Sequence, residues 1–369
     1  MRDTGGPTAG TYAHARYGDN DMKDAGHRAC VEAALAHEKT NRVPVNNFAL
    51  VTAARSAGIT VDDARWNPKV SAKVSIDYSL KTHSDFVKPV LDSQVPFADL
   101  GMNVNFPKDD YGYIKDHLVG DQEGIDKLAF FDPNISKECP KFTQVIVNGL
   151  EETEKMLEED LHICGLSWGP LTTAGYLMGT EDMIMMTMMD PNVVKSLLKK
   201  VAPFVSAMQK KMLDAGATVM WMADPTSSED LISPDMFKEY SYEPLKNVIK
   251  DTRSQYSETQ AYLHICGNTL DTMTMLPEIG VNCFSFDHAV NVEKAKRKVG
   301  NKMTLMGNID PVRMIMSGTP DDISSECRRI IDVAGRDGGF ILAPGCETPQ
   351  SSPDENVIAM GKAGRDYWK

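Results

Sequence analysis

No uninterrupted apolar run in this 369-residue chain approaches the ~20 residues a membrane helix needs. The opening Met1-Arg2-Asp3-Thr4-Gly5-Gly6-Pro7 also lacks the apolar core of a signal peptide, so the expected location is the cytoplasm. Cysteine is scarce and scattered. Seven residues, an odd number, stand at positions 30, 139, 164, 266, 283, 327 and 346, which excludes the dense disulfide framework of a secreted domain. Positive charge is in deficit: 39 Lys and Arg face 52 Asp and Glu, giving a net charge of −13. That balance speaks against nucleic-acid binding, because phosphate contacts require a basic surface. No Gly-x-Gly-x-x-Gly turn follows the first apolar run, so a dinucleotide-binding half is not supported. No Gly-, Ser- or Pro-rich linker divides the chain. Residues 23–369 therefore read as one domain. Residues 1–22, polar and Gly-rich without periodic apolar pattern, read as an arm that orders against a partner subunit, and a homodimer is expected.

What is present is the ordinary make-up of a globular protein, 42% apolar and 25% charged. After a helix expected over Ala25 to His37, short apolar runs alternate with longer helical stretches. Eight runs read as strands: Val43–Phe48, Val95–Gly101, His162–Trp168, Thr218–Asp224, Tyr262–Cys266, Asn282–Asp287, Thr304–Asn308 and Phe340–Pro344. Their spacing leaves room for a helix between strands, as parallel β/α units require. The predicted fold is thus an α/β (β/α)8 TIM barrel with an N-terminal extension and an insertion, about residues 105–160, between strands two and three. The cluster Met183-Ile184-Met185-Met186-Thr187-Met188-Met189 reads as filler of an irregular core or an apolar wall.

The polar residues fall where such a barrel would use them. Asp224, His264, Cys266, Asp287, Asn308 and Cys346 lie at or just beyond predicted strand C-termini, the face on which barrel active sites are assembled. His264 and Cys266 are two apart, so a strand projects them to the same side. Cys346 supplies a third donor. One nitrogen and two soft sulfurs suit Zn2+, and three protein ligands leave one position for chemistry. The competing reading makes both cysteines small core residues and His264 a hydrogen-bonded histidine. Leu161-His162-Ile163-Cys164-Gly165 repeats the residue types of Leu263 to Gly267 and is a second candidate pair. A closed structural zinc site is a further possibility, although a chain of this length has core enough to fold without one.

Taken together these features resemble the uroporphyrinogen-decarboxylase-like superfamily, and within it the zinc-dependent corrinoid methyltransferases, over roughly residues 25–365. The landmarks are Glu38-Lys39-Thr40-Asn41-Arg42-Val43-Pro44-Val45, Gly169-Pro170-Leu171-Thr172-Thr173-Ala174, Asp224-Pro225-Thr226 followed by Ile232-Ser233-Pro234-Asp235-Met236-Phe237, Gly307-Asn308-Ile309-Asp310-Pro311, and the His264-x-Cys266…Cys346 set. The resemblance implies that the zinc pair is His264 and Cys266, and that His162 and Cys164 belong to the core or stand behind the site. The Arg-Gln-Ala-Gly-Arg segment with which the decarboxylases of the superfamily hold propionates is absent, which makes a decarboxylating lyase the weaker alternative.

Two methyl transfers follow from the resemblance. In one, zinc binds a methylated substrate, most naturally a methoxylated aromatic, and a Co(I) corrinoid takes the methyl group. In the other, zinc activates a small thiol such as coenzyme M against a methylcorrinoid. Both need a corrinoid protein as partner. No Asp-x-His-x-x-Gly motif is present, so the corrinoid (cobalamin) is expected in trans. O-demethylation is the reading favoured by sequence: the segment from Val90 to Met102 resembles such enzymes, and Met residues, Trp221, Phe284 or Phe286 would line a pocket for an aromatic ring. A thiol enzyme taking a sulfonate would be expected to offer Arg or Lys, and the predicted strand ends show none. Asp224 and Asp287 are candidate fourth ligands or partners of His264, or else strand-end caps of the next helix. Asn308 is a candidate substrate-orienting residue, Asp310 a turn residue, and Glu347 a weaker site candidate.

Overall fold

The computed structural model describes residues 26–89, 92–131 and 141–368. The expected arm 1–22, Cys139, Val90-Leu91 and the stretch Asp132-Pro133-Asn134 lie outside them. Among the described residues there are nine strands: β1 Phe86–Val87, β2 Val104–Asn105, β3 Tyr113–Ile114, β4 His162–Trp168, β5 Val219–Ala223, β6 Ala261–Ile265, β7 Cys283–Phe286, β8 Thr304–Ile309 and β9 Phe340–Pro344. Seven form one sheet in the order β1-β4-β5-β6-β7-β8-β9, every neighbouring pair parallel. Helices connect them, as parallel crossovers demand. Among the described residues no helix is long and apolar enough to cross a membrane.

The eighth position is filled by the predicted first strand, in reduced form. Within Val43–Phe48 only Val45 makes a ladder partner, a parallel bridge to Leu342 of β9. The Asn46 amide donates to the Leu342 carbonyl (2.9 Å), the Leu342 amide to Pro44 (2.8 Å), and the Asp85 amide to Val45 (2.7 Å). This segment joins the last strand to the first, and the sheet closes on itself as an α/β barrel.

The second predicted strand is misplaced. Val95–Asp99 is a helix, and the strand lies earlier, at Phe86–Val87, paired with His162–Ile163. Pro96 explains the first half: it has no N–H to give a ladder, and its fixed φ suits a first helical turn. The brevity of β1 explains the second, since polar Ser84, Asp85 and Lys88 leave too short an apolar run to be read as a strand. The insertion carries the antiparallel hairpin β2–β3, and its main helix is Thr143–Met156, earlier than the acidic stretch Glu151–Leu161 suggested.

Alternation divides the core in two. Cys164, Trp221, Tyr262, Cys283, Met306 and Ala343 pack together with Phe48 and Phe86 inside the barrel. Met220, Met222, Leu263, Ile265, Phe284 and Phe286 pack on the outside against the helices. Trp221 stacks on Tyr262 (centroids 5.5 Å apart) and meets Phe48 at 5.5 Å. Truncating so large a buried ring would cost ~3–5 kcal/mol. Phe284 and Phe286 therefore do not line the barrel interior, whereas Trp221, the other aromatic expected there, does. Ser285 between them is the residue that faces inward, because a strand has period two.

At the opposite end of the barrel, Asp85 precedes β1 and is fully buried. Its carboxylate accepts from the Val45 amide (2.7 Å), Arg42 Nη1 (2.8 Å) and Arg42 Nη2, and meets His27 Nδ1 at 2.8 Å. Burial would raise its pKa, but the bonds from His27 and Arg42 hold it below the usual carboxylate range. This network ties the first helix, His27–Leu35, to the closing seam.

Candidate metal centre

His264 is the fourth residue of β6, in register with Ala223 on one side and Ser285 on the other. Cys266 follows the end of that strand, and Cys346 comes two residues after β9 ends at Pro344. The barrel's closure brings the three together across a separation of eighty residues: His264 Nε2 lies 3.1 Å from Cys266 Sγ, and Cys266 Sγ 3.4 Å from Cys346 Sγ. All three donor atoms fall within 4.8 Å of one another, the only such His/Cys/Asp/Glu group of three or more among the described residues.

The surroundings fix how each donor points. His264 Nδ1 sits 3.0 Å from Ser285 Oγ and 3.2 Å from the Ser285 carbonyl. A carbonyl only accepts, so the ring proton belongs on Nδ1 and the Nε2 lone pair is left for the sulfur side. Phe48 packs edge-on against the imidazole (5.0 Å). The turn after Cys266 needs glycine. Gly267 has φ +73°, and a Cβ there would stand 2.0 Å from Asp230 Oδ2. Gly345 likewise lets the chain before Cys346 approach the His288 amide, which a Cβ would meet at 2.4 Å.

The two sulfurs lie within hydrogen-bond reach of each other, so their titrations are linked. The hydrogen bond from Cys266, with His264 assisting, pulls the Cys346 thiol well down, whereas the same contact and burial push Cys266 up. A cation placed between the two sulfurs would favour the deprotonated form of both. A soft, half-buried set of one imidazole and two sulfurs fits zinc. His264, Cys266 and Cys346 are the residues that would hold it.

The other expected site residues take different places. Asp224 is buried, with Oδ1 accepting from the Thr172 amide (2.7 Å) and Oδ2 from Ser227 Oγ (2.9 Å). Burial raises its pKa, with the Thr172 and Ser227 bonds opposing. It caps a helix, but Pro170–Met178 after β4 rather than one after its own strand. Gly169 is small because Asp224 Cγ would lie 2.5 Å from a Cβ there. The Asp224 amide donates to the His264 carbonyl (2.9 Å), so this turn holds the ligand strand from behind. Asp287 Oδ1 accepts from the Ala289 amide (3.0 Å) and meets His288 Nδ1 at 2.6 Å. Its charge is felt at Cys266. Asn308 Nδ2 donates to the carbonyls of Asp287 (3.0 Å) and Val290 (2.7 Å), stapling the loop after β7. Its amide is thus engaged with main chain. Asp310 accepts from the amides of Val312 (2.9 Å) and Arg313 (2.8 Å), as a turn residue does.

The second His-x-Cys pair is at the wrong end. His162 is the first residue of β4, whereas His264 stands one residue from the end of β6. His162 stacks on Phe86 (5.6 Å) and pairs with Thr218 Oγ1 (3.0 Å), and burial takes it down to about 4. Cys164 is fully buried, which pushes its thiol up to about 11.

Two neighbours of the site carry no signal in the sequence. Tyr111 of the insertion donates its hydroxyl to Glu347 Oε1, beside Cys346, and burial pushes Glu347 up to about 8. Lys88, just past β1, is buried inside the barrel mouth. Its Nζ donates to Asn46 Oδ1 (2.5 Å) and stands 4.8 Å from the Phe48 ring and 4.6 Å from that of Trp221. Burial lowers its amine to about 8.

The sequence profile of the family described as uroporphyrinogen decarboxylase (URO-D) matches residues 27–367. The chain belongs to that family. Among relatives of this URO-D-family chain is the methylcobamide:CoM methyltransferase MtbA of Methanosarcina acetivorans, 28% identical over 251 residues, 68% of this chain and 70% of that protein. Another is the methylated-thiol–coenzyme M methyltransferase of Methanosarcina mazei, 28% identical over 222 residues, 60% of this chain and 58% of that protein. A solved methyltransferase from Methanosarcina mazei superposes with a TM-score of 0.84 at 22% identity, covering 94% of this chain and all of that one, which shows the shared fold.

Proposed function

We propose that this chain is a corrinoid-linked methyltransferase that moves a methyl group from a methylcorrinoid, carried by a separate protein, to a small thiol. The observation that carries the reading is the His264–Cys266–Cys346 group, three soft donors converging at the mouth of a URO-D-family barrel. The relatives are coenzyme M methyltransferases, which favours the thiol over methoxyarene demethylation. Of the aromatic residues expected to line a pocket for a methoxyarene, only Trp221 faces the interior, while Phe284 and Phe286 face the helices.

Zinc held by the three residues would supply Lewis acidity that makes a bound thiol a thiolate near neutral pH. The chain's own residues do the rest. Ser285 keeps the His264 nitrogen aimed, and Asp224 holds the β5 turn against the His264 backbone. In the transfer, the thiol gives up its proton, its sulfur forms a bond to the methyl carbon, and the carbon–cobalt bond breaks with both electrons left on cobalt as Co(I).

An anaerobic spectral assay with zinc-loaded protein tests this. Methylcobalamin with 2-mercaptoethanesulfonate is expected to lose its methyl-cobalt absorbance and yield Co(I) and the thioether. Inertness with every thiol, together with conversion of Co(I) to methyl-Co(III) by a methoxyarene, would replace the reading with demethylation.

A further inference from the structure

The one cation inside the barrel mouth among the described residues that has no anion to match it is Lys88. It lies two residues beyond Phe86, and residues two apart on a strand share a face, so its side chain follows the Phe86 ring into the interior at the end where β6 presents His264. Its Nζ has a single hydrogen-bond partner, Asn46 Oδ1 at 2.5 Å, and otherwise the faces of Phe48 and Trp221. No carboxylate of the described residues forms an ion pair with it; of the two acidic groups whose charge it feels, Cys164 is a buried thiol pushed up by burial and Glu347 is hydrogen-bonded to Tyr111. A buried ammonium without a counterion is costly, and aromatic faces replace its hydration only in part. Such a group is retained where a ligand supplies the missing charge. Phe48 bridges the two features, touching Lys88 with its face at 4.8 Å and the His264 ring edge-on at 5.0 Å.

We infer that Lys88 holds the acidic end of the thiol substrate, so that the site takes short thiols bearing a sulfonate or carboxylate in preference to uncharged ones. The inference rests on the thiol-acceptor reading above and adds to it the chemical class of the acceptor. The sulfur would lie with His264, Cys266 and Cys346, and the anion with Lys88 Nζ and the Asn46 side chain. Phe48 and Trp221 form the apolar floor beneath the short carbon chain. The anion returns to Lys88 the pairing that burial took away, and the protonated amine is favoured in the complex.

The test is the methylcobalamin assay run with four thiols of similar length: 2-mercaptoethanesulfonate, 3-mercaptopropionate, 2-mercaptoethanol and cysteamine. Wild-type protein is expected to show the lowest KM for the two anions and the highest for the cation. Lys88→Met, which keeps length and apolar volume, should raise KM for the anions about 10- to 100-fold, the value of a hydrogen bond to a charged group, and shift KM for 2-mercaptoethanol far less. Calorimetric binding of the product analogue 2-(methylthio)ethanesulfonate should weaken by the same factor, a readout independent of turnover. Equal KM values for all four thiols in the wild type, or an equal effect of Lys88→Met on all of them, would overturn the Lys88 assignment while leaving thiol methylation standing. Absence of turnover with every thiol would bring down the acceptor reading and this inference together.

Discussion

His264 and Ser285 stand directly opposite on neighbouring parallel strands, with the imidazole Nδ1 3.0 Å from the serine hydroxyl and 3.2 Å from its carbonyl. The serine thus sets which nitrogen faces the sulfurs. Ser285→Ala removes the hydroxyl but keeps the carbonyl, and is expected to weaken zinc binding about 10-fold without unfolding the protein. Competition with a chromogenic chelator measures it.

Removing a donor is a harsher change. His264→Ala, Cys266→Ala and Cys346→Ala should each leave protein that copurifies with almost no zinc and transfers no methyl group, with far-UV circular dichroism retained. Cys164→Ala should keep its metal, because Cys164 lies inside the barrel away from the donor group. Elemental analysis after dialysis distinguishes the four, and a Cys164 variant that alone lost zinc would move the centre to β4.

The Asp85 network predicts a stability effect with a defined pH sign. Asp85→Asn leaves Arg42 without its buried partner and should cost about 3–5 kcal/mol. The Asp85 carboxyl is held below its ordinary value, so its contribution is complete above the usual carboxylate pKa and is lost as pH falls through the lower folded value. His27 runs the other way. Its pKa is raised by the bond to Asp85, against burial, so that its contribution is complete below ~6.5 and is lost as pH rises through the higher folded value. Urea denaturation across this range should show both dependences in the wild type and neither in Asp85→Asn.

How much of this was legible in sequence depended on the length of each apolar run. β4 and β9 match their predicted bounds, and β5 to β8 differ by a residue or so at their ends, because each has four or more apolar or β-forming residues between turn signals. β1 has two residues, and the longer apolar run at Val95–Leu100 drew the prediction away from it. That error had a chemical consequence: with the strand put at Val95, Lys88 was not at a strand end, and the mouth looked devoid of cations. The position of His264 and Cys266 was legible because period-two alternation is local. The facing of Phe284 and Phe286 would have been legible from the same rule once Ser285 was set opposite His264. The Tyr111–Glu347 bond was not, since it joins residues 236 apart in the chain and depends on how the insertion folds over the mouth.

The closing joint at Val45 bears on the order in which the centre comes apart. β6, which carries His264 and leads directly to Cys266, is laddered on both edges over several residues, whereas β9, which leads to Cys346, is laddered to β8 but meets the first stave through one bridge. Two donors are therefore held by the middle of the sheet, and the third stands beside the seam, where Thr348 ties the chain after Cys346 to Phe48 and Asn47. A variant that loosens the seam should therefore be felt first at Cys346, and a bound ion is expected to leave it sooner than it leaves the wild type.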